Sequence, residues 1–279
     1  MIQFAIMYVG VNFNSVIMAF QKRDTLTGTS SFVWFENFAT VFRNLFTGST
    51  LGQALLNSII CWALGLFVGT LLAIMFSYYL YKKFWGHALF KVMLFLPSMI
   101  SMSVFVLIFS YFVDAALPDI LGIKGLLTDS KMIFPTILFF NIWISFGTNV
   151  IMYSNAMAGI DESIIEYARI EGISPIRELF QIVLPIIFPT LQTFIVTGIA
   201  GIFIGQANLY LFYGSYADPQ IMTIGYYLFT RVVGETASLS EYPYAAAMGI
   251  VFTLVAAPVT LGVKKLMDRA DPVNGGTTK

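Results

Sequence analysis

Charge is scarce in this sequence. Lys, Arg, Asp and Glu make up 11% of its 279 residues, where a soluble domain carries about 25%. Cysteine is almost absent: Cys61 stands alone, so no intrachain disulfide can form. Within an apolar run, it reads as inert packing. His87 is the single histidine; it cannot build a metal site by itself, it leaves no Ser/His/Asp constellation to assemble, and it reads as a solvated interfacial residue. No GxxxxGK[ST] phosphate loop occurs. The sequence therefore offers no catalytic residue, no metal site and no cofactor site of its own. A formal net charge of zero gives nucleic acid no electrostatic footprint.

What is abundant is apolar. Hydrophobic residues make up 58% of the chain and the mean hydropathy is +0.80. Windows almost free of charge occur at about 2–20, 51–79, 88–113, 132–157, 186–213 and 244–266. Each is long enough to cross a hydrocarbon core about 30 Å thick. The expected fold is all-α, a polytopic transmembrane helical bundle of about six spans. The first window lacks the basic flank and small-residue cleavage site of a signal peptide. Asn12, Asn14 and Ser15 interrupt it, so it reads as a retained, somewhat polar helix. Its abrupt start raises the alternative that the natural chain begins further upstream.

Lys and Arg set the expected orientation. With an inside N-terminus, the inner segments hold nine: Lys82, Lys83, Lys91, Arg169, Arg177, Lys264, Lys265, Arg269 and Lys279. The outer segments hold six: Lys22, Arg23, Arg43, Lys124, Lys131 and Arg231. The bias puts both termini and a polar insert at about 158–185 in the cytoplasm. Pro97, Pro185, Pro189 and Pro258 punctuate the spans, read as ordinary kinks or as hinges. Gly65/Gly69 and Gly201/Gly205 form GxxxG steps, read as packing within the bundle or against a second membrane subunit.

The insert carries the most information. Asp161 or Ser163 can cap a short helix, and Ser163-x-x-Glu166 has capping-box spacing. Gly172 suits the left-handed position that ends it. Ser174 and Pro175 can open a second helix. Ile164, Ile165 and Ala168 share a face, forming a small apolar ridge able to seat in a groove on another protein. The alternative is an amphipathic helix in the lipid headgroups. Asp161, Glu162, Glu166, Glu171 and Glu178 count against that, because anionic lipid repels them.

Glu166-Tyr167-Ala168, three residues, Gly172, nine residues, then Ile182-Val183-Leu184-Pro185 resembles the EAA loop of ABC importer permeases, EAA-x3-G-x9-I-x-L-P. Tyr167 replaces the usual first alanine, and Glu171 stands where aspartate is common. Phe32 to Phe38 resembles the F-x-G-x-E-N-F segment of the sugar-permease branch, with Trp34 at the glycine. Asn141-Ile142-Trp143 and Tyr242 to Gly249 resemble further segments of that branch. The resemblance covers nearly the whole chain and is nearest to six-span oligosaccharide permeases of the maltose-transporter type.

It implies a type I ABC importer permease. Residues 1–50 would form a first transmembrane helix and external segment, and 51–279 the core transmembrane domain. Glu166, Tyr167, Ala168 and Gly172 would shape a coupling helix that docks on a cytoplasmic ATPase. Ile182, Leu184 and Pro185 would join it to span five. ATP and Mg would bind in two partner ATPase subunits, not here. A second, non-identical permease, an external solute-binding protein and the lipid bilayer complete the implied partners, in the inner (cytoplasmic) membrane.

For the substrate path, Asn141, Trp143, Asn149, Gln206, Asn208, Tyr210 and Tyr213 offer amides and flat aromatics that suit a neutral polyol. The expected helix would place Gln206, Tyr210 and Tyr213 on one face. Interfacial aromatics and interhelical amides are the plainer reading. Spans two, four, five and six lack ionisable residues in their cores, which weighs against proton coupling and less against sodium. Alternatives are an ABC permease for another small solute, a stand-alone secondary transporter, and a scaffold without transport.

Overall fold

The computed structural model describes residues 10–24 and 27–272. Twelve helices and one small hairpin are described: α1 (Val11–Met18), β1 (Gln21–Arg23), β2 (Ser30–Phe32), α2 (Glu36–Phe46), α3 (Thr50–Tyr81), α4 (His87–Met99), α5 (Met102–Leu121), α6 (Ile133–Ala158), α7 (Glu162–Ile170), α8 (Pro175–Ile186), α9 (Phe188–Ala200), α10 (Leu209–Tyr213), α11 (Ile224–Val232) and α12 (Tyr242–Ala270). The strands pair antiparallel with Lys22 opposite Ser31. Among the described residues, α3, α5, α6 and α12 are each long and apolar enough to cross a membrane. A fifth crossing is the pair α8 and α9, bent by 74°. Residues 2–9 of the first expected span lie outside the described residues; 11–18 are helical.

The third expected span corresponds to two helices rather than one. Ile100 and Ser101 are extended, so α4 ends and α5 starts anew. Pro97 lies inside α4 and removes a backbone donor just before that break. The fifth span also differs from the expectation. Helix α8 begins at Pro175, passes through a π-helical turn at Leu179–Val183 and stops at Ile186. Pro185 and Pro189 are four residues apart, so the ring of Pro189 meets the carbonyl it would otherwise bond to. The bend falls between them. Pro258, by contrast, sits inside a continuous α12.

The chain divides into two compact units. One comprises residues 1–60 and 201–259, the other 61–200 and 260–279. The core of the first gathers Val41, Leu51, Ala54, Ile224, Tyr227, Met248, Val251 and Phe252. Here the 214–243 segment folds back as buried α11. Its entry is held by α3: Asn57 Nδ2 donates to the carbonyls of Gln220 (2.7 Å) and Met222 (2.9 Å), and the N–H of Ile224 donates to Ser58 Oγ at 2.8 Å. Thr223 Oγ1 donates to the carbonyl of Gly205 at 2.9 Å. Tyr226 donates its hydroxyl to the Gly214 carbonyl and accepts from the N–H of Ala217.

The core of the second unit gathers Ala73, Tyr78, Phe146, Val150, Tyr153, Met157, Ile160, Ile165, Leu179, Val183 and Ile187. Gly147 lets α6 approach α4: a Cβ there would stand 3.0 Å from the carbonyl oxygen of Leu94. Helices α3 and α9 meet where Trp62 Nε1 donates to the Gly198 carbonyl at 3.0 Å. Of the two readings of the GxxxG steps, packing within the bundle is not seen among the described residues: nothing lies within 4 Å of where a Cβ would stand at Gly65 or Gly69. Gly201 and Gly205 fall in non-helical backbone.

A test of the first unit follows from Gly225, where a Cβ would stand 2.2 Å from the carbonyl oxygen of Ile204. Gly225→Ala is expected to destabilise by about 1–3 kcal/mol or more, as overpacking does, seen as a lower thermal midpoint in mild detergent. Gly249→Ala, with nothing within 4 Å, is expected to be neutral or stabilising by about 0.5–1 kcal/mol.

Candidate functional site

The insert between α6 and α9 is built as two short helices around one glycine. Asp161 is the residue that caps α7: its Oδ1 accepts from the N–H of Ser163 at 2.9 Å. The bonds from Ser163 hold the Asp161 carboxyl below the ordinary carboxylate range. At the other end the N–H of Ile173 donates to the Ala168 carbonyl (3.0 Å) and that of Gly172 to the Arg169 carbonyl (3.1 Å). This pair is a Schellman turn, and Gly172 supplies its left-handed residue with φ +69°. Ser174 precedes α8 in extended conformation and Pro175 takes its first position.

The exposed face of α7 is not the expected one. Ile165 and Ala168, at 6% and 0% exposure, point into the core of their own unit; Ile165 packs in the cluster with Tyr153, Met157 and Val183. Side chains of α6 and of α8, the loop's own second helix, share that cluster with Ile165. Ile164, of the expected ridge, is exposed. The strongly exposed apolar side chains are Tyr167 (64%), Ile170 (83%), Ile176 (73%) and Phe180 (61%). The face presented outward is therefore carried by both helices. Glu166 and Arg169 are exposed beside it, and both line a cavity of about 790 Å³ with Lys83, His87 and Lys91. His87 is half-buried, with Nδ1 3.1 Å from the Phe84 carbonyl.

Ile182 and Leu184 pack against the core of the second unit, and Pro185 sits in the last turn of α8. One contact there has no counterpart among the sequence expectations. Lys82 Nζ, just past α3, donates to both carboxylate oxygens of Glu178 in α8 at 2.8 and 2.9 Å. Both side chains are largely buried. The ring of Tyr78 lies 5.9 Å from the ammonium. Sequence gives little signal for the pair: Glu178 stands beside Arg177 in α8, and its partner lies 96 residues away.

The expected substrate-path residues divide between the units. In the second, Asn141 Nδ2 donates to the Ile137 carbonyl of its own helix at 2.8 Å, and Asn149 is half-buried on α6. Trp143 stacks with Phe139 and meets Phe105 and Phe109 at a tilt. It also lines a cavity of about 320 Å³ at the α4–α5 break, with Leu94, Pro97, Gly147 and Thr148. In the first, Tyr210 and Tyr213 share α10, and the Tyr210 ring meets Phe229 edge-on at 4.9 Å. Gln206 and Asn208 do not join them on a helix. The span ends at Ala200, and Ala207 and Asn208 are both left-handed. Tertiary ties nearby, of Gly205 to Thr223 and of Ile204 against Gly225, hold this backbone out of helical form. Trp34, at the glycine position of the motif it resembles, has φ +52°, the region glycine adopts freely.

Comparisons with known proteins bear on this arrangement. A family model described as binding-protein-dependent transport system inner membrane component matches residues 65–272. A probable ABC transporter permease of Mycoplasma pneumoniae is 32% identical over 161 residues, 54% of this chain and 49% of that one. The sn-glycerol-3-phosphate transport system permease of Yersinia pestis is 26% identical over 61% of this chain and 58% of its own. The alignments thus span about half of these curated relatives. A glucose import system permease of Saccharolobus solfataricus is 26% identical over 264 residues, 87% of this chain and 85% of that one. A crystal structure of a bacterial ABC transporter involved in the import of the acidic polysaccharide alginate matches with a TM-score of 0.79 at 21% identity, covering 100% of this chain and 93% of that one. That likeness establishes the fold: this chain is an all-α helical bundle with the same fold as that chain.

The two faces of α7 can be told apart by truncation. Ile165→Ala is expected to cost about 2–5 kcal/mol, as buried truncations do, and to lower the thermal midpoint. Ile164→Ala is expected to stay within about 1 kcal/mol of the parent. Equal effects would reverse the assignment of the buried face.

Proposed function

Because the chain belongs to the family of binding-protein-dependent transport system inner membrane components, we propose that it is the permease subunit of an ATP-driven importer of a sugar or oligosaccharide, and that the α7–Gly172–α8 loop couples it to a cytoplasmic ATPase. The family is one of transport permeases, and no catalytic role is assigned to any residue. The observation that carries the coupling reading is the exposed apolar surface of Tyr167, Ile170, Ile176 and Phe180. It sits on a loop whose other side is packed into the transmembrane core. Such a surface fits a groove on a soluble partner, as helix-in-groove recognition requires. Glu166 and Arg169 supply polar contacts at its edge.

On this reading two ATPase subunits bind ATP and Mg, a second and non-identical permease completes the membrane assembly, and an external solute-binding protein delivers substrate. A similar structure contains an alginate pentasaccharide-bound periplasmic protein, which supports the last of these. The chain lies in the inner membrane with both termini and the loop in the cytoplasm. Lys82 lies at the end of α3 and pairs with Glu178 of the loop, in keeping with one shared side. Residues 1–50 are read as an accessory helix and external segment ahead of the core domain. Asn141, Trp143, Asn149, Gln206, Asn208, Tyr210 and Tyr213 are the candidate path residues. Relatives named for glucose and for sn-glycerol-3-phosphate make a polyol the substrate class to test first.

Purification of the tagged chain from its native membrane in mild detergent is expected to recover a nucleotide-binding subunit and a second permease in stoichiometric amounts by mass spectrometry. Recovery of the chain alone, active in liposomes without ATP, would overturn the reading in favour of a secondary transporter. Within the complex, Glu166→Lys and Gly172→Pro are each expected to lower uptake at least tenfold while the chain still reaches the membrane and ATP hydrolysis continues. Normal uptake in both would remove the coupling role from the loop.

A further inference from the structure

The loop is tied to its own unit in two ways, and they differ in kind. One is apolar: Ile165, Leu179 and Val183 pack among Tyr78, Val150, Tyr153 and Met157. Such packing is non-directional. The other is the Lys82–Glu178 pair. Lys82 Nζ meets both carboxylate oxygens, at 2.8 and 2.9 Å. The Glu178 side chain is 5% exposed and that of Lys82 17%. Burying two charges is unfavourable unless the geometry is good and the charges stay paired. The contact therefore resists separation. Of the ion pairs among the described residues, those of Lys22 with Glu36 and Arg231 with Glu241 are far more exposed.

The place of the pair matters as much as its burial. Glu178 lies in the first turn of α8, six residues after the glycine turn. Lys82 follows directly on the last turn of α3. A displacement of the loop must either break this contact or carry the end of α3 with it. We infer that Lys82 and Glu178 are positioning residues that fasten the coupling loop to α3, so that loop and helix move as one body. The inference rests on the coupling reading of the loop, and it adds α3 to the elements that the loop drives. Neither residue belongs to the EAA pattern.

The experiment uses the full chain in detergent, with Cys61→Ala and spin labels on cysteines placed at Phe67 in α3 and Gln181 in α8. Both positions are exposed, and neither belongs to the pair or to the apolar docking face. Electron-spin distance measurement on the parent is expected to give one narrow distribution. Glu178→Gln keeps the shape and removes the charge; it is expected to at least double the width. The swap Lys82→Glu with Glu178→Lys is expected to restore a width near that of the parent. A narrow distribution in Glu178→Gln overturns the proposal. So does a swap as broad as the single variant, because burial of the side chains rather than their pairing would then fix the loop. In the complex with ATPase subunits, ATP and vanadate are expected to leave the parent distance unchanged; a shift beyond the parent width overturns the one-body claim. Failure to recover any ATPase would instead sink the coupling reading, while the distances in the isolated chain still decide whether the pair fastens the loop to α3.

Discussion

Hydrocarbon offers a peptide group no hydrogen bond. Between Gly201 and Ile224 the first unit departs from helical backbone twice, either side of α10. The structure shows what replaces the helical bonds. Asn57 supplies donors to the Gln220 and Met222 carbonyls, Ser58 an acceptor to Ile224, Thr223 a donor to Gly205, and Tyr226 both a donor and an acceptor. The polar face at the start of α3 is therefore part of the backbone accounting of a segment more than a hundred residues later. The close approach at Gly225 belongs to the same arrangement, since α11 can begin there only if no side chain intervenes.

The second unit solves a different problem. On the proposed reading, the loop must present apolar surface to a partner, and it must also be anchored. Helix α7 does both by splitting its apolar residues between two faces. Ile165 and Ala168 go inward, and Tyr167 and Ile170 go outward. Helix α8 repeats the division, with Leu179 inward and Ile176 and Phe180 outward. Between the two helices, the left-handed residue at Gly172 ends α7 in a Schellman turn and Pro175 opens α8 three residues later.

Much of the loop was legible in the sequence because its rules are local. Capping by Asp161, the left-handed Gly172 and the first-turn Pro175 depend on neighbours one to four residues away. The long spans α3, α6 and α12 were legible for the same reason: length and hydropathy are properties of a window. Non-local effects were not. The run from Gln206 to Tyr213 is apolar enough to continue a helix, yet ties to Thr223 and Gly225 end it earlier. Periodicity groups Ile164, Ile165 and Ala168 of α7 on one ridge, since it shows that a face exists but not which element covers it. The 214–243 segment carries Asp218, Arg231, Glu235 and Glu241, and its sequence alone does not separate an external loop that meets a binding protein from one that folds partly back into the membrane. In the fold, Arg231 pairs with Glu241 and lies 4.3 Å from the Tyr227 ring, which frees α11 to bury its remaining side.

The bend between α8 and α9 links the loop to the membrane path. Two prolines four residues apart leave the chain without the backbone bonds that would straighten it, and the 74° angle is their consequence. Because Val183 and Ile187, on either side of the bend, are both buried in one core, the angle is also held by packing. Close-packed interiors yield little to compression. On the proposed reading, a push on Ile176 and Phe180 is therefore resisted at the bend and passed on through the contacts of α8, apolar toward α6 and ionic toward α3. A loop packed only at its tip would absorb the same push by local fraying.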